Sequence, residues 1–153
     1  MPYKRPISVL VVIHTATLQV LLLERVVPPG FWQSVTGSLE ADESPLQAAI
    51  REVHEETGLA VSSSQLHDWH HTNRFEIIEG WRARYAPGVT HNTEHVFSLC
   101  VPAPRPVRLA PAEHRLQLWL PLEEAARKAS SWTNRDAILM LPQLAAQQPT
   151  APD

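Results

Sequence analysis

The sequence predicts a single α/β (α+β) domain in which a mixed β-sheet is flanked by helices. Two observations carry this prediction. Five strand-like runs are interleaved with three helical segments, and prolines stand at many of the joints between them, where a missing N–H does least harm. The chain has 153 residues, of which 44% are hydrophobic and 19% are charged, as expected for one globular domain with its own core. We expect the domain to cover residues 1–146.

The first two expected strands are the apolar runs Ile7–His14 and Gln19–Glu24, which flank a small polar turn. Lys4 and Arg5 precede the first run and give it a superficial likeness to a signal peptide. Two short runs around a turn fit a strand pair better, and neither is long enough to cross a membrane. The other expected strands are Asp68–Ile78, His95–Val101 and Arg115–Leu120.

The first expected helix has the clearest boundaries. Ser44 can cap its start, and Gln47 completes an S-x-x-Q capping box with it. Pro45 suits the first helical position, and Gly58 can end the helix, which reaches about Thr57, in a left-handed conformation. These signals predict a helix whatever its function is.

Two more helices are expected near the carboxyl end. One covers about Leu122–Lys128 after a proline. The other starts around Asn134, with Thr133 or Asn134 as its cap, and is expected to break at Pro142. The remaining irregular segments are an expected loop and an expected frayed tail, at Tyr85–Asn92 and Gln147–Asp153 respectively.

Composition excludes some functional classes. A net charge of −3 gives no electrostatic case for nucleic acid, and no membrane partner is expected. Cys100 is the only cysteine, so an internal disulfide is impossible. We expect its thiol to be buried and inert, and the protein to be cytoplasmic. The sequence leaves the oligomeric state open.

Three carboxylates fall on one arc of the first helix. Glu52, Glu55 and Glu56 stand at i, i+3 and i+4, and like charges at this spacing repel. Arg51 is the only strong base on the helix. Either this arc is a solvated acidic face, or a hard cation such as magnesium supplies the missing positive charge. The adjoining arc is apolar and should face the sheet; it comprises Leu46, Ala49, Ile50 and Val53.

The residues around this helix favour the cation. From Gly37 the chain reads GSLEADESPLQAAIREVHEETGL, which fits the pattern G-x5-E-x7-R-E-U-x-E-E-x-G-U at every fixed position, U being aliphatic. In this pattern the chain resembles the Nudix hydrolases. The resemblance implies an α/β/α sandwich with a loop–helix–loop active site, Mg2+ as cofactor (Mn2+ as a possible substitute) and hydrolysis of a diphosphate link.

The resemblance also implies roles for the matching residues. Glu52 and Glu56 are expected to bind the metal directly, and Glu55 to be a third ligand or the base that takes a proton from water. Arg51 is expected to orient the ligands by pairing with Glu43. Gly37 is expected to have a backbone reason, either a positive φ or close approach to phosphate.

Segments outside the pattern narrow the substrate. YKRPISVLVVI, FWQSVTGS, RYAPGVTHNTEH and SWTNRDAI resemble the Nudix enzymes of folate synthesis that remove pyrophosphate from 7,8-dihydroneopterin 3′-triphosphate. The resemblance covers about residues 3–139. It implies phosphate contacts from Lys4 and Arg25, a hydroxyl at the phosphate loop from Thr36, and a further metal ligand in Glu113. The implied pterin pocket consists of Phe75, Glu76, Ile77, Ile78 and Ser131, with the Glu76 carboxylate accepting the ring's N–H donors.

Several alternatives stay open. Lys4 and Arg25 could be ordinary surface cations, and Phe75 and Ile77 could belong to a plain strand. None of the eight histidines is expected to bind metal. The substrate could be a purine nucleoside triphosphate such as dATP or an oxidised purine nucleotide, because purines share the fused-ring shape. A module that binds a ligand without cutting it is the more distant alternative.

Overall fold

The structure, a computed structural model, describes residues 3–147. It contains seven strands, three α-helices and two 3₁₀ helices. In chain order the elements are β1 (Ile7–Thr15), β2 (Gln19–Arg25), β3 (Trp32–Gln33), β4 (Val35–Ser38), α1 (Pro45–Thr57), a 3₁₀ helix (Ser63–Gln65), β5 (Leu66–Glu76), a 3₁₀ helix (Glu79–Arg84), β6 (His91–Val101), β7 (His114–Pro121), α2 (Leu122–Lys128) and α3 (Trp132–Gln147). The tail expected from Gln147 lies outside the described residues except for Gln147 itself, which ends α3.

The strands form the mixed sheet that the sequence predicts. β1 runs parallel to β6 along its whole length, and β5 pairs antiparallel with β6 on the far side. The other edge of β1 is shared by β4 and, at its end, by β2, both antiparallel. β2 also pairs with β3 and β7. This arrangement brings β4 and the start of α1 next to β1.

Helices cover both faces of the sheet, which gives the α/β/α sandwich. Val9 and Val11 of β1 face α1, whereas Leu10 and Val12 face α2 and α3, because successive side chains of a strand point to opposite faces. Burial on both faces explains why β1 and β2 read as continuous apolar runs.

The boundaries of α1 are those the sequence predicts. The Gln47 backbone N–H donates to Ser44 Oγ at 3.1 Å, and the Gln47 side chain accepts from the Ser44 N–H at 2.9 Å. Gly58 has φ +78°, the expected left-handed end. Ala49 and Val53 are fully buried against the sheet. The acidic arc of α1 is therefore held in a fixed direction.

Several strand boundaries differ from the predictions. β3 and β4 were not expected, because their short sequences become strands only by pairing with β2 and β1. β6 starts at His91, so the last two residues of the expected loop belong to it. β5 spans Leu66–Glu76 rather than Asp68–Ile78, and a bulge with His70 at φ 52° interrupts it.

Two predictions about α3 were wrong. Its cap is Ser131, whose Oγ accepts from the Asn134 backbone N–H at 3.2 Å. The helix also continues through Pro142. Proline removes one backbone hydrogen bond from the helix. The helix nevertheless stays packed on the core through Ile138 and Leu141, which precede the proline, and Leu144, which follows it.

The expectation for Cys100 was also wrong, because its thiol is exposed. Cys100 lies near the end of β6, where its side chain points away from the core that buries Leu99 and Val101. Partial burial still raises the pKa of the thiol. Among residues 3–147, none of the helices has the length and apolar character needed to span a membrane.

Candidate active site

The acidic arc of α1 borders a cavity of about 870 Å³. Glu52 lines it from α1, Thr36 and Gly37 from β4, and Glu113 and His114 from the start of β7. The pairing of β4 with β1 and of β7 with β2 brings these distant segments together. The cavity therefore brings together residues from three separate parts of the chain, among them the carboxylates of Glu52 and Glu113.

Arg51 organises the acidic groups. Its Nε and Nη2 donate to the two oxygens of Glu43 at 2.7 and 2.8 Å, which is the ion pair expected from the sequence. Its Nη1 donates to Glu52 at 2.7 Å and to Glu55 at 3.2 Å, and its Nη2 also reaches the Ser38 carbonyl oxygen. The hydrogen bonds from Arg51 lower the pKa of Glu43. One guanidinium therefore fixes three carboxylates.

A close contact with the Glu52 carboxylate explains why position 37 is a glycine. Its φ is not positive, so that alternative was wrong. Instead, the Glu52 carboxylate lies directly over its Cα: a Cβ built there would overlap the carboxylate, with even the farther oxygen at only 2.7 Å. Glu52 is thus held between Gly37 and Arg51, and only 8% of the residue is exposed.

Glu56 is the most unusual carboxylate of the site. It is completely buried, and neither of its oxygens has a hydrogen-bond partner among the described residues. Burial raises the pKa of Glu56 well above its ordinary range, and the adjacent carboxyl of Glu52 adds to the rise. A buried carboxylate without partners is costly, so this position calls for a cation.

The residues near Glu56 suit a divalent ion. Glu56, Glu113 and His114 each offer one ligand atom, and these atoms lie within 4.8 Å of one another. Glu113 is exposed to the cavity, as the resemblance implied for an added ligand. Carboxylate oxygens with room for water and phosphate suit Mg2+ better than a soft metal. The donor set therefore fits the cation that the sequence predicts.

No histidine was expected to bind metal, and His114 lies among the candidate ligand groups around Glu56. Burial, together with the positive charge of Arg25, lowers the pKa of His114 to about 4, so the ring is neutral at physiological pH. Its Nε2 lies 3.0 Å from the Gln33 amide nitrogen, which donates to it. The ring proton then lies on Nδ1, 3.8 Å from a Glu56 oxygen. At this distance the ring N–H does not hydrogen-bond to Glu56, so His114 is a neutral neighbour of the carboxylate.

Cations face the acidic groups across the cavity. Lys4, Arg25 and Arg84 all line it. Burial lowers the pKa of Lys4, and the positive charges of Arg84 and Arg25 lower it further. Arg25 and Arg84 both lie over the Trp81 ring, at 5.2 and 5.9 Å from its centroid. Three mutually repelling cations at one place form a suitable site for a polyphosphate.

The turn that follows Arg25 fixes the direction of its side chain. The Arg25 Nε donates to the Val27 carbonyl oxygen at 2.8 Å, which directs the guanidinium along the turn. Glu24 holds the other end of the turn by accepting from the Gly30 N–H at 2.7 Å. The two remaining guanidinium nitrogens are available for a phosphate group.

A second cavity, of about 290 Å³, adjoins the first and shares Gln33 and Thr36 with it. Four of its thirteen lining residues are aromatic, and two of these, Phe31 and Trp81, pack edge to face with centroids 5.8 Å apart. Its size and lining suit a flat heteroaromatic ring. We call this cavity the ring pocket; its lining residues are Phe31, Gln33, Thr36, Phe75, Glu76, Ile78, Trp81, Glu94, Ser130, Ser131, Trp132, Thr133 and Asn134.

The predicted pterin-contacting residues take different positions around the ring pocket. Phe75, Ile78 and Ser131 line it. A third cavity of about 140 Å³ shares Gln33 and Thr36 with both of the others, and we call it the passage. Ile77 is buried and lines this passage. Glu76 lies at the rim, 68% of its side chain is exposed, and its carboxylate pairs with Arg82. Ser131 Oγ accepts from the Asn134 side chain at 2.7 Å, which fixes this wall.

Thr36 stands where the two cavities meet. Its Oγ donates to the Val9 carbonyl oxygen at 2.9 Å, so its proton is already used within the fold. What Thr36 offers a substrate is therefore an accepting oxygen and a fixed wall. Its role in phosphate binding stays a prediction.

The sequence analysis missed two groups of this site. Glu94 of β6 is only 3% exposed and lines both the ring pocket and the passage. Arg84 is the last residue of the 3₁₀ helix that also contains Trp81. A signal for Glu94 was present, because a carboxylate inside a strand with buried neighbours, NTEHVF, demands a partner. Arg84 carried no such signal.

The raised pKa of Glu94 leads to a testable prediction about the stability of the fold. Burial raises its pKa from 4.5 to about 7, against hydrogen bonds from Asn73 and Thr133 that lower it. Between these values the folded state binds the proton more tightly than the unfolded state, so this group's contribution to stability falls as pH rises. Glu94→Gln, neutral throughout, should be more stable than the wild type at pH 8 by on the order of 3 kcal/mol. The two proteins should converge near pH 4, below the pKa of the unfolded state. Urea unfolding at both values measures this, and an equal difference at both would contradict it.

Comparisons with known proteins agree with this geometry. The protein-family profile described as NUDIX domain matches residues 4–141. The chain is 49% identical over 139 residues to the dihydroneopterin triphosphate diphosphatase of Escherichia coli K12, covering 89% of this chain and 91% of that protein. A Haemophilus influenzae protein of the same name is 43% identical, with 90% and 88% covered. The solved structure of the E. coli dihydroneopterin triphosphate pyrophosphohydrolase is similar with a TM-score of 0.83 at 48% identity, covering 90% of this chain and 95% of that one.

Proposed function

The chain belongs to the NUDIX domain family, and on that premise we propose that it hydrolyses 7,8-dihydroneopterin 3′-triphosphate to the monophosphate and pyrophosphate. The observation that carries the proposal is a ring pocket that opens into a cavity lined by both acids and cations. A triphosphate would occupy the larger cavity and its pterin the smaller one. The alignments with the two relatives named for this activity cover most of this chain and most of each relative.

We propose Mg2+ as the cofactor, with Mn2+ as a possible substitute. Glu52, Glu56 and Glu113 would hold it, since Glu56 lacks other partners and Glu52 keeps one oxygen clear of Arg51. When bound, the ion neutralises phosphate charge and lowers the pKa of a coordinated water. Its positive charge also stabilises the ionised form of Glu56.

The protein's own groups would do the rest. Glu55 reaches Arg51 with one oxygen and is otherwise exposed, so it is free to bind metal or to take a proton from water. Arg51 and Glu43 position the carboxylates without touching substrate. Lys4 and Arg25 would bind phosphate oxygens, with Thr36 and Gly37 forming the wall beside them.

The pterin ring would enter between aromatic walls. Phe75 and Ile78 would contact its faces from one side, with Ile77 supporting them from below. Ser131 would close the pocket at the start of α3. Glu76 at the rim remains a candidate acceptor for the ring's N–H groups, although its pairing with Arg82 competes with that role.

Specificity constants test the substrate. With saturating magnesium, we expect kcat/KM for 7,8-dihydroneopterin 3′-triphosphate to exceed that for dATP by at least about 10-fold, because the ring pocket contributes binding energy that adenine does not match. Pyrophosphate and the monophosphate should be the products, and running the reaction in isotopically labelled water should show which of the two takes up the water oxygen. A preference for dATP by a similar factor would replace the pterin assignment with the nucleotide one.

Two other proposals complete the functional assignment. The intact set of Glu52, Glu55 and Glu56 favours an enzyme over a module that only binds its ligand; such a module would bind a triphosphate and release no pyrophosphate. We also propose that the protein works in the cytoplasm on a small-molecule substrate, without nucleic-acid or membrane partners.

A further inference from the structure

A buried carboxylate without a strong partner lies in the wall of the ring pocket. Glu94 is only 3% exposed, and its side chain lines both the ring pocket and the passage to the larger cavity. The Asn73 amide donates to it at a long 3.4 Å, and Thr133 is the other polar group that faces it. These two donors leave most of the carboxylate's acceptor capacity unused.

A carboxylate in this position needs donors from outside the fold. Burial disfavours its charged form, and a protein retains such a group where a ligand supplies the missing hydrogen bonds. The ring pocket that Glu94 lines also contains four aromatic side chains, and a flat ring packed against them would present its edge to the carboxylate. The ligand group that matches a carboxylate's two oxygens is a pair of adjacent N–H donors.

We propose that Glu94 is the specificity-determining residue of the site, accepting two N–H bonds from the 2-amino-4-oxo edge of the substrate's ring. The inference rests on the proposed function and deepens it. A pterin carries a ring N–H beside an amino group on this edge, and guanine carries the same pair. Adenine offers an amino group beside a ring nitrogen that is an acceptor, which a carboxylate repels.

Glu94 suits this role better than Glu76. The Glu76 carboxylate is at the rim, largely exposed, and already paired with Arg82. A hydrogen bond formed there competes with water, whereas one formed at Glu94 is shielded from it. A shielded acceptor discriminates strongly, because a ring that lacks the donors leaves the carboxylate unpaired.

The test compares substrates that differ only in their ring. Glu94→Gln should lower kcat/KM for 7,8-dihydroneopterin 3′-triphosphate and for dGTP by about 10- to 100-fold, mainly through KM, since one of two paired bonds is lost and an N–H faces an N–H. Activity on dATP and on inorganic tripolyphosphate, which has no ring, should not fall. Glu79→Gln, an exposed glutamate outside both cavities, is the matched control and should leave all four substrates unchanged.

Three results would overturn the inference. The first is an equal loss of activity on all four substrates, which would indicate a structural role. The second is an unchanged preference of Glu94→Gln for the pterin substrate and dGTP over dATP. The third is the selective loss appearing in Glu76→Gln instead. If Glu94→Gln does not fold, Glu94→Asp, which withdraws the carboxylate by one methylene, should show the same selectivity change with a smaller factor. If the wild type does not hydrolyse the pterin substrate, the proposed function fails. The ratio of kcat/KM for dGTP to that for dATP, compared between the wild type and Glu94→Gln, still tests Glu94.

Discussion

Glu56→Gln is expected to lower kcat by roughly 10³-fold or more, because removal of a metal ligand forfeits several kcal/mol of transition-state charge stabilisation. The glutamine amide has almost the same shape, so the fold should be kept. Without metal the variant should be at least as stable as the wild type, since it removes a fully buried carboxyl whose pKa is raised well above its ordinary range. The loss would then come from the site and not from the scaffold.

Two measurements check this result. Steady-state kinetics over a range of magnesium concentrations gives kcat, and calorimetric titration with Mn2+ gives the metal affinity. Both should fall in Glu56→Gln. Glu124→Gln, which removes an exposed carboxylate from α2, is the matched control. Near-normal turnover of the Glu56→Gln variant at saturating magnesium would refute the ligand role of this position.

The part of the site that could be predicted from sequence is the part encoded locally. Glu52, Glu55 and Glu56 are four residues apart at most, and a helix with marked ends fixes their relative directions. The structure adds a distinction that spacing alone does not give. Glu52 and Glu56 are buried, whereas 47% of the Glu55 side chain is exposed. The apolar residues of α1 pack on the sheet, and this packing determines which of the neighbouring carboxylates become buried.

The parts that could not be predicted depend on long-range pairing. Glu94 and Ser131 face the same pocket only because β6 lies beside β1 and α3 packs across the sheet. Pairing of β7 with β2 similarly brings His114 to Glu56. No spacing rule relates residues so far apart in the chain. The resemblance to a known family supplied Glu113, which the sequence alone did not distinguish.

Gly37→Ala is expected to reduce kcat/KM by about 100-fold, although the change adds only a methyl group. The new Cβ would overlap the Glu52 carboxylate. Glu52 cannot retreat easily, because Arg51 holds the oxygen nearest to the new Cβ at 2.7 Å and is itself fixed by both oxygens of Glu43. A metal ligand displaced by even an ångström loses much of its effect, as supporting contacts to metal sites already matter by about 10- to 100-fold. Gly80→Ala is the control, because a Cβ at that position meets nothing within 4 Å.

A double-mutant cycle shows whether the alanine acts through Glu52. If it does, adding Gly37→Ala to Glu52→Gln should cost little further activity, because the ligand that the methyl displaces has already been disabled. If the two losses simply add, the methyl group instead blocks the approach of phosphate, and the close contact with Glu52 is not the reason for glycine at this position. The cycle thus separates the two explanations that a single variant would leave together, with kcat/KM of the four proteins as the measurement.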